Sequence, residues 1–251
     1  MTDRAEIGVF GGSGFYSLLE DVREVKVDTP YGPPSAPVTI GVVDDRTVAF
    51  LPRHGLHHEL PPHAVPYRAN VAAMQSLGVR ALLAPFAAGS LHPDVHPGDL
   101  VVVDQLVDRT SGRPDTFHDT FADGPQHVSL ADPYDEPTRQ ALLAAARNQG
   151  STVHDRGTVV VIQGPRFATR AESRWYRSAG WEVINMTQYP EVALAREAGI
   201  AYAGIALITD YDTGVEGIDD IEPVSQEAVF AAFEANLGLL RAVLLDAIAK
   251  I

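Results

Sequence analysis

The chain has no cysteine. That excludes disulfides, thiolate nucleophiles and cysteine-ligated zinc. It is also short of positive charge: 19 Lys and Arg stand against 33 Asp and Glu, a formal net charge of −14 with nine histidines neutral. A chain this acidic repels polyphosphate at long range, which argues against nucleic acid as a partner. A small phosphate is a separate case, because a buried site can be locally positive on an acidic protein. Long hydrophobic runs are missing too. The longest weakly polar stretch, Ala198 to Ile208, is short and glycine-interrupted, so no membrane partner is expected. The opening MTDRAEIGVFGG lacks the apolar centre of a signal peptide, and a cytoplasmic location is the expectation. Repeats and low-complexity blocks are absent, and the 18 prolines are scattered rather than gathered into a linker.

What is present is globular composition, 45% hydrophobic and 21% charged over 251 residues. The whole chain, 1–251, is expected to form one domain with a substantial core. Short apolar runs recur at Ile7–Phe10, Val38–Val43, Thr47–Leu51, Ala81–Ala84, Leu100–Val103, Thr158–Ile162, Val183–Ile184 and Ile200–Ile208. Several read as strands covered on both faces. Helical spacing lies between them. Tyr67, Val71, Met74 and Leu77 follow Pro66 and stop at Gly78; Thr169 and Glu172 form a capping-box signature; a helix from about Pro190 ends at Gly199. A last helix places Val229, Phe233, Leu237, Leu240, Leu244 and Ile248 on one stripe. The alternation predicts an α/β fold with a central mixed sheet flanked by helices.

Ligands in such folds gather at the carboxyl ends of strands, so the residues after each strand matter most. Gly11-Gly12-Ser13-Gly14 follows the first; glycines there can turn N–H groups inward, and Ser13 adds a hydroxyl. The spacing fits neither a dinucleotide fingerprint nor a Walker loop, and a plain tight turn is the simpler reading. Arg53 and His54 follow the strand ending at Leu51. Arg53 offers a fork that fits phosphate, and His54 a further donor. The neighbouring His57-His58-Glu59-Leu60-Pro61-Pro62-His63 fails as a zincin, because Pro62 stands where the second histidine belongs and the prolines break the helix. Small residues at Ala87 to Gly89 allow close approach of backbone. Phe167, just before the capped helix, can stack on a flat base. Thr187 sits where hydroxyl, backbone N–H and helix dipole can serve an anion, though a plain N-cap explains it as well. Asp210 and Asp212 close a buried strand and can hold and protonate a base, provided burial raises Asp210.

Taken in order, GGSGFY, RHG…HHELPPH…YRAN, AAGSL, PGDLVVVDQ, QGPRFATRAES, INMTQYPEVALAREAGI and TDYD resemble the trimeric purine nucleoside phosphorylases, and most nearly their 5'-methylthioadenosine phosphorylase branch. The resemblance spans almost the whole chain. It implies a partly barrel-like sheet, a homotrimer, a role in purine salvage, and reversible cleavage of a purine nucleoside by phosphate, with no metal and no cofactor beyond phosphate as co-substrate. By that resemblance Ser13, Arg53, His54, the backbone at Phe86 and Ala87, and Thr187 hold phosphate. Met186 meets the ribose and Phe167 the purine. Asp210 and Asp212 take the N7 and six-position edge, with Asp210 as proton donor, and His127 reaches a neighbouring subunit's 5' pocket. Three positions depart from the pattern. Phe86 stands where a hydroxyl residue is common, Ala168 where the branch has serine, and Gln226 where it has valine. A polar Gln226 suits a 5'-hydroxyl, which leaves ordinary nucleosides and 6-oxopurines open beside methylthioadenosine. A nucleosidase using water and a silent nucleoside-binding module are the competing readings.

Overall fold

A computed structural model describes the chain apart from residues 1–2, 13–14, 16–17, 20, 123, 216–217, 219–221 and 223. Among the described residues eleven strands join one sheet: β1 (Ile7–Gly11), β2 (Arg23–Val25), β3 (Val38–Val43), β4 (Arg46–Pro52), β5 (Ala81–Ser90), β6 (Leu100–Val102), β7 (Gln105–Arg109), β8 (Val153–His154), β9 (Thr158–Ile162), β10 (Val183–Asn185) and β11 (Ala201–Asp210). Five α-helices cover it: α1 (Tyr67–Ser76), α2 (Glu136–Asn148), α3 (Arg170–Ser178), α4 (Gln188–Glu197) and α5 (Gln226–Ile248).

The sheet is mixed, as the hairpin-like early strands predict. β3 and β4 pair antiparallel across a two-residue turn. Asp44 and Asp45 in that turn have φ of 44° and 66°, the left-handed pair that a tight hairpin of this hand requires. β1 lies parallel between β4 and β5. The hub is β5. Its first residues pair with β1, its last with β10, and its other edge runs along β11 for nearly its whole length.

Side chains alternate across β5. Leu82, Ala84, Phe86 and Ala88 enter one core with residues of α1 and α4. Leu83 enters a second core with residues of α2 and α5. This two-fold alternation is the pleat reporting that both faces are covered. A smaller cluster joins Ala168, Ile162, Ile184 and Tyr176 under α3.

The helices form for local reasons. Thr169 accepts from the Glu172 N–H, and the Glu172 carboxylate accepts from the Thr169 N–H, so the capping box is complete. Asp135 caps α2 by accepting from the Thr138 N–H at 3.0 Å. On α5, Phe233, Leu240, Leu244 and Ile248 are fully buried as the stripe predicts. Val229 leaves the stripe and faces a cavity instead. The sequence reading missed that α5 is apolar enough for a membrane span, with 23 residues and mean hydropathy 1.7 in its most apolar window. Its buried stripe packs with residues of α2 and β11, while only 22% of that window is buried.

The structure corrects several boundaries. β5 runs on through Pro85 to Ser90, well past the expected Ala84, because β11 and β10 pair with that extension. β2, β7, β8 and α2 were not expected. The strands among them are short or charged pieces whose pairing comes from distant neighbours.

Candidate active site

A cavity of about 400 Å³ opens at the carboxyl ends of β1, β4 and β11, against the second half of β5 and the end of β10. Arg53, His54, Phe86, Ala87, Phe167, Met186, Thr187, Asp210, Asp212 and Gln226 line it together, although they are scattered along the chain. His58, Glu59, Asn185, Thr209 and Phe230 line it as well; the sequence reading puts the histidines of the His57–His63 stretch at a mouth or a subunit contact and gives the other four no role. Of the three remaining candidates, two lie elsewhere. Ser13 falls outside the described residues. Ala168 is packed in the cluster below Phe167, away from the cavity wall. His127 is exposed, its ring edge-on to Phe121 at 5.3 Å.

Arg53 and His54 do not sit as expected. The Nε and Nη2 edge of the Arg53 guanidinium grips Glu191 of α4, with Nη2 donating to Oε2 at 2.9 Å. Both side chains are completely buried. The fork predicted for phosphate is therefore already filled by a carboxylate. The Nη1 corner lies 3.4 Å from the carbonyls of Gly11 and Pro85, beside Gly12 and the Phe86 backbone. His54 donates its Nδ1–H to the Leu60 carbonyl at 2.8 Å, because a carbonyl can only accept. Burial, and then the Arg53 charge, push the ring down to about 3, so it is neutral and offers Nε2 as an acceptor. His58 stacks on it at 4.4 Å and is met in turn by Phe230 of α5.

Thr187 is corrected in the same way. Its backbone N–H and that of Gln188 both donate to Asn185 Oδ1, at 2.6 and 2.9 Å. The asparagine takes over what an anion was expected to bind, and the Thr187 hydroxyl remains, 3.5 Å from the same oxygen. Asn185 is itself held by donating from Nδ2 to the Ala87 carbonyl at 3.1 Å. The Phe86 ring is buried in the core, so this residue turns only part of itself to the cavity.

The two carboxylates sit at a break in register, where β11 shifts against β5 between Ile208 and Asp210. Gly89 makes room: a Cβ there would lie 2.9 Å from Asp210 Oδ1. Asp210 accepts from the Thr209 hydroxyl and the Asp212 N–H, both at 2.7 Å. Burial raises it, and these two donors pull it back. Asp212 has φ of 52°, and its Oδ2 is buried with no partner. Burial, helped by the nearby Asp210 charge, lifts it to about 6 against a Ser173 hydrogen bond that lowers it. Both carboxyls are thus raised, as acid work needs. The one lifted furthest toward neutrality is Asp212, where Asp210 was the expected acid.

This has a thermodynamic consequence. From its ordinary 3.8 up to about 6, folded Asp212 keeps a proton that the unfolded chain has released. Stability is therefore lost as pH rises through that window, by at most roughly 3 kcal/mol. Asp212→Asn is expected to raise the melting temperature at pH 8 and to lose that advantage near pH 4. Melting curves across pH check it; an equal gain at both ends contradicts it.

The chain is similar to known proteins over nearly its whole length. Residues 6–249 match the family model described as the phosphorylase superfamily. The chain is 54% identical over 254 residues to a purine nucleoside phosphorylase of Streptomyces coelicolor, covering 99% of this chain and 90% of that one. It is 56% identical over 243 residues to an S-methyl-5'-thioadenosine phosphorylase of Mycolicibacterium smegmatis, covering 96% and 90%. Among solved structures it is similar to the methylthioadenosine phosphorylase of Schistosoma mansoni in complex with adenine. The TM-score is 0.92 at 40% identity, with 98% and 91% of the two chains covered.

Proposed function

As this chain belongs to the phosphorylase superfamily, we propose that its cavity carries out reversible phosphorolysis of a purine nucleoside, a pentosyl transfer giving free base and a ribose 1-phosphate. The observation that carries this is one cavity holding both the Asp210–Asp212 pair and the Arg53, His54 and Thr187 cluster. A phosphate oxygen attacks C1' of the ribose while the C1'–N9 bond breaks, and its electron pair leaves with the purine. Asp210 gives a proton to N7, which makes the purine a better leaving group, an effect typically worth ~10²–10⁴-fold. Phosphate's negative charge stabilises the positive charge that develops on the ribose, so the positioned anion is both reagent and catalyst.

Phosphate is held by the Thr187 hydroxyl, the Nη1 corner of Arg53, whose present bonds to the Gly11 and Pro85 carbonyls are long at 3.4 Å, the backbone at Phe86 and Ala87, and Ser13. A protonated phosphate oxygen donates to the neutral His54 at Nε2. Met186 packs on the ribose and the partly exposed Phe167 on the purine. Asp212, mostly ionised at neutral pH, accepts from a six-amino group. This and the named relatives support a 5'-methylthioadenosine-type substrate. A second reading, a 6-oxopurine nucleoside, is favoured by the same residue below pH 6, where its protonated form donates to a six-oxo group. Gln226, on the cavity wall, tunes the choice between a 5'-methylthio and a 5'-hydroxyl group. No metal and no cofactor besides phosphate is needed. A homotrimer, a cytoplasmic location and a role in purine salvage go with the reading, with His127 and the half-exposed Phe121 as the surface a neighbouring copy covers.

The test incubates the protein with methylthioadenosine, methylthioinosine, adenosine and inosine, each with and without phosphate. Base release is expected to require phosphate and to yield a sugar 1-phosphate, fastest with methylthioadenosine. Equal release without phosphate establishes a nucleosidase. Binding without cleavage of any of the four leaves a nucleoside-binding module.

A further inference from the structure

Glu191 lies on the first turn of α4 and has no place in the chemistry above. It is nonetheless completely buried, and three donors converge on it: Arg53 Nε, Arg53 Nη2 and the Tyr202 hydroxyl, the last at 2.8 Å. A buried carboxylate this heavily bonded is costly to keep unless it is paired. Its other bonded partner, Tyr202, carries no charge. Burial raises the phenols of Tyr67, Tyr134 and Tyr202, which stay neutral, and His54 is neutral. Gln188, three residues upstream across the non-helical Tyr189, is neutral and accepts from the Tyr134 hydroxyl at 3.2 Å. Arg53 and Glu191 therefore cancel each other where they meet; among the described residues the other charged groups nearby are Glu59, on the exposed wall of the cavity, and Arg113, which donates to the Tyr67 hydroxyl at 3.2 Å.

We infer that Glu191 sets the charge of the phosphate end: by cancelling Arg53 it makes phosphate bind to directed N–H and O–H groups in a near-neutral pocket, so that the anion's charge stays available to the ribose cation. This rests on the phosphorolysis reading. An uncompensated guanidinium would hold phosphate more tightly and spend its charge in the ground state, where it does not accelerate the reaction. Glu191 contacts Arg53 and not the reactants, so it is a positioning residue that acts on charge as well as on orientation.

The test is Glu191→Gln, purified in phosphate buffer, compared with the wild type. Initial rates give kcat and the phosphate KM, and melting curves with and without phosphate give the ligand's stabilising effect. Removing one charge this close to a bound anion is expected to lower the phosphate KM on the order of tenfold and to lower kcat by a similar factor. The ligand-free variant melts lower, and phosphate raises its melting temperature more than it raises the wild type's. A phosphate KM that is unchanged or higher while kcat falls overturns the inference, because that is what lost orientation alone produces.

Tyr202→Phe supplies a milder variant of opposite sign. The Tyr202 hydroxyl shares Oε2 with Arg53, so without it the carboxylate's charge falls more fully on the guanidinium. Phosphate KM is expected to rise about two- to threefold, the size of one net hydrogen bond. A fall contradicts the inference, even if the glutamine variant does not fold. If the wild type releases base without phosphate, the phosphorolysis reading fails and takes this inference with it. Phosphate-dependent wild type with an unmoved KM in Glu191→Gln removes the inference alone.

Discussion

Asp210→Asn is expected to lower kcat for phosphorolysis by about 10²–10⁴-fold, the typical worth of a general acid. The substitution is close to isosteric in its surroundings. The amide oxygen can still accept from the Asp212 N–H, now held at 2.7 Å. The Thr209 hydroxyl, which donates to Oδ2, can turn and accept from the new amide. The fold and the phosphate end therefore stay as they are, and what is lost is the proton. Rapid-quench or steady-state rates measure the loss, and phosphate-induced shifts in melting temperature, unchanged from wild type, show that the loss is chemical. If Asp210→Asn keeps full turnover, the proton comes from Asp212, the carboxyl that burial has lifted to about 6.

Arg53→Met is expected to be the most damaging single change for stability. It strips Glu191 of two of its three donors and leaves a carboxylate, with zero exposure, held by Tyr202 alone. Breaking a buried pair by removing one partner costs about 3–5 kcal/mol. For a domain of this size that lowers the melting temperature by roughly 10 °C. The double change Arg53→Met with Glu191→Leu should recover most of the loss, because an apolar pair of similar volume removes the unpaired charge along with the bond. Denaturant titrations of the two variants measure the difference. A cost below about 1 kcal/mol for the single change would mean that water reaches Glu191 and that the pair is not a buried one.

Much of the scaffold was legible because local chemistry and global packing agree. β3 and β9 begin and end where their apolar runs do. Thr169 and Glu172 cap α3 by contacts only three residues apart, which sequence spacing can state. The cavity residues were legible for a different reason. Most of them follow strand ends, and the hub strand β5, parallel to β1 and β11 and antiparallel to β10, brings those ends together. What could not be read was partnership across the chain. Glu191 looks like an ordinary acidic residue in a first turn, yet its partner Arg53 is 138 positions away. The same distance hides the fate of the Arg53 fork, which has the right shape for phosphate and is closed on a carboxylate. Asn185 intercepts the Thr187 N–H from two residues upstream, a local contact that the anion-site pattern does not exclude. Ala168 and Phe167 are neighbours in sequence, but one faces the core and the other the cavity. β7 and β8 lacked an apolar run because they are paired at edges, where burial asks less of their side chains.

The hub strand has one more consequence. β5 lends its edges to β1, β10 and β11 at once, and the walls around Ala87 and Asp210 are built on those same strands, with Arg53 following β4 alongside β1. Gln226, Val229 and Phe230 belong instead to the first turns of α5, outside the sheet. The molecule therefore keeps its reaction and its appetite on separate mountings. On the proposed reading, replacements at Gln226, Val229 or Phe230 are expected to change which sugar is admitted while leaving the sheet strands that carry Ala87 and Asp210 as they are. A lineage can in this way drift from one nucleoside to another while inheriting a single chemistry.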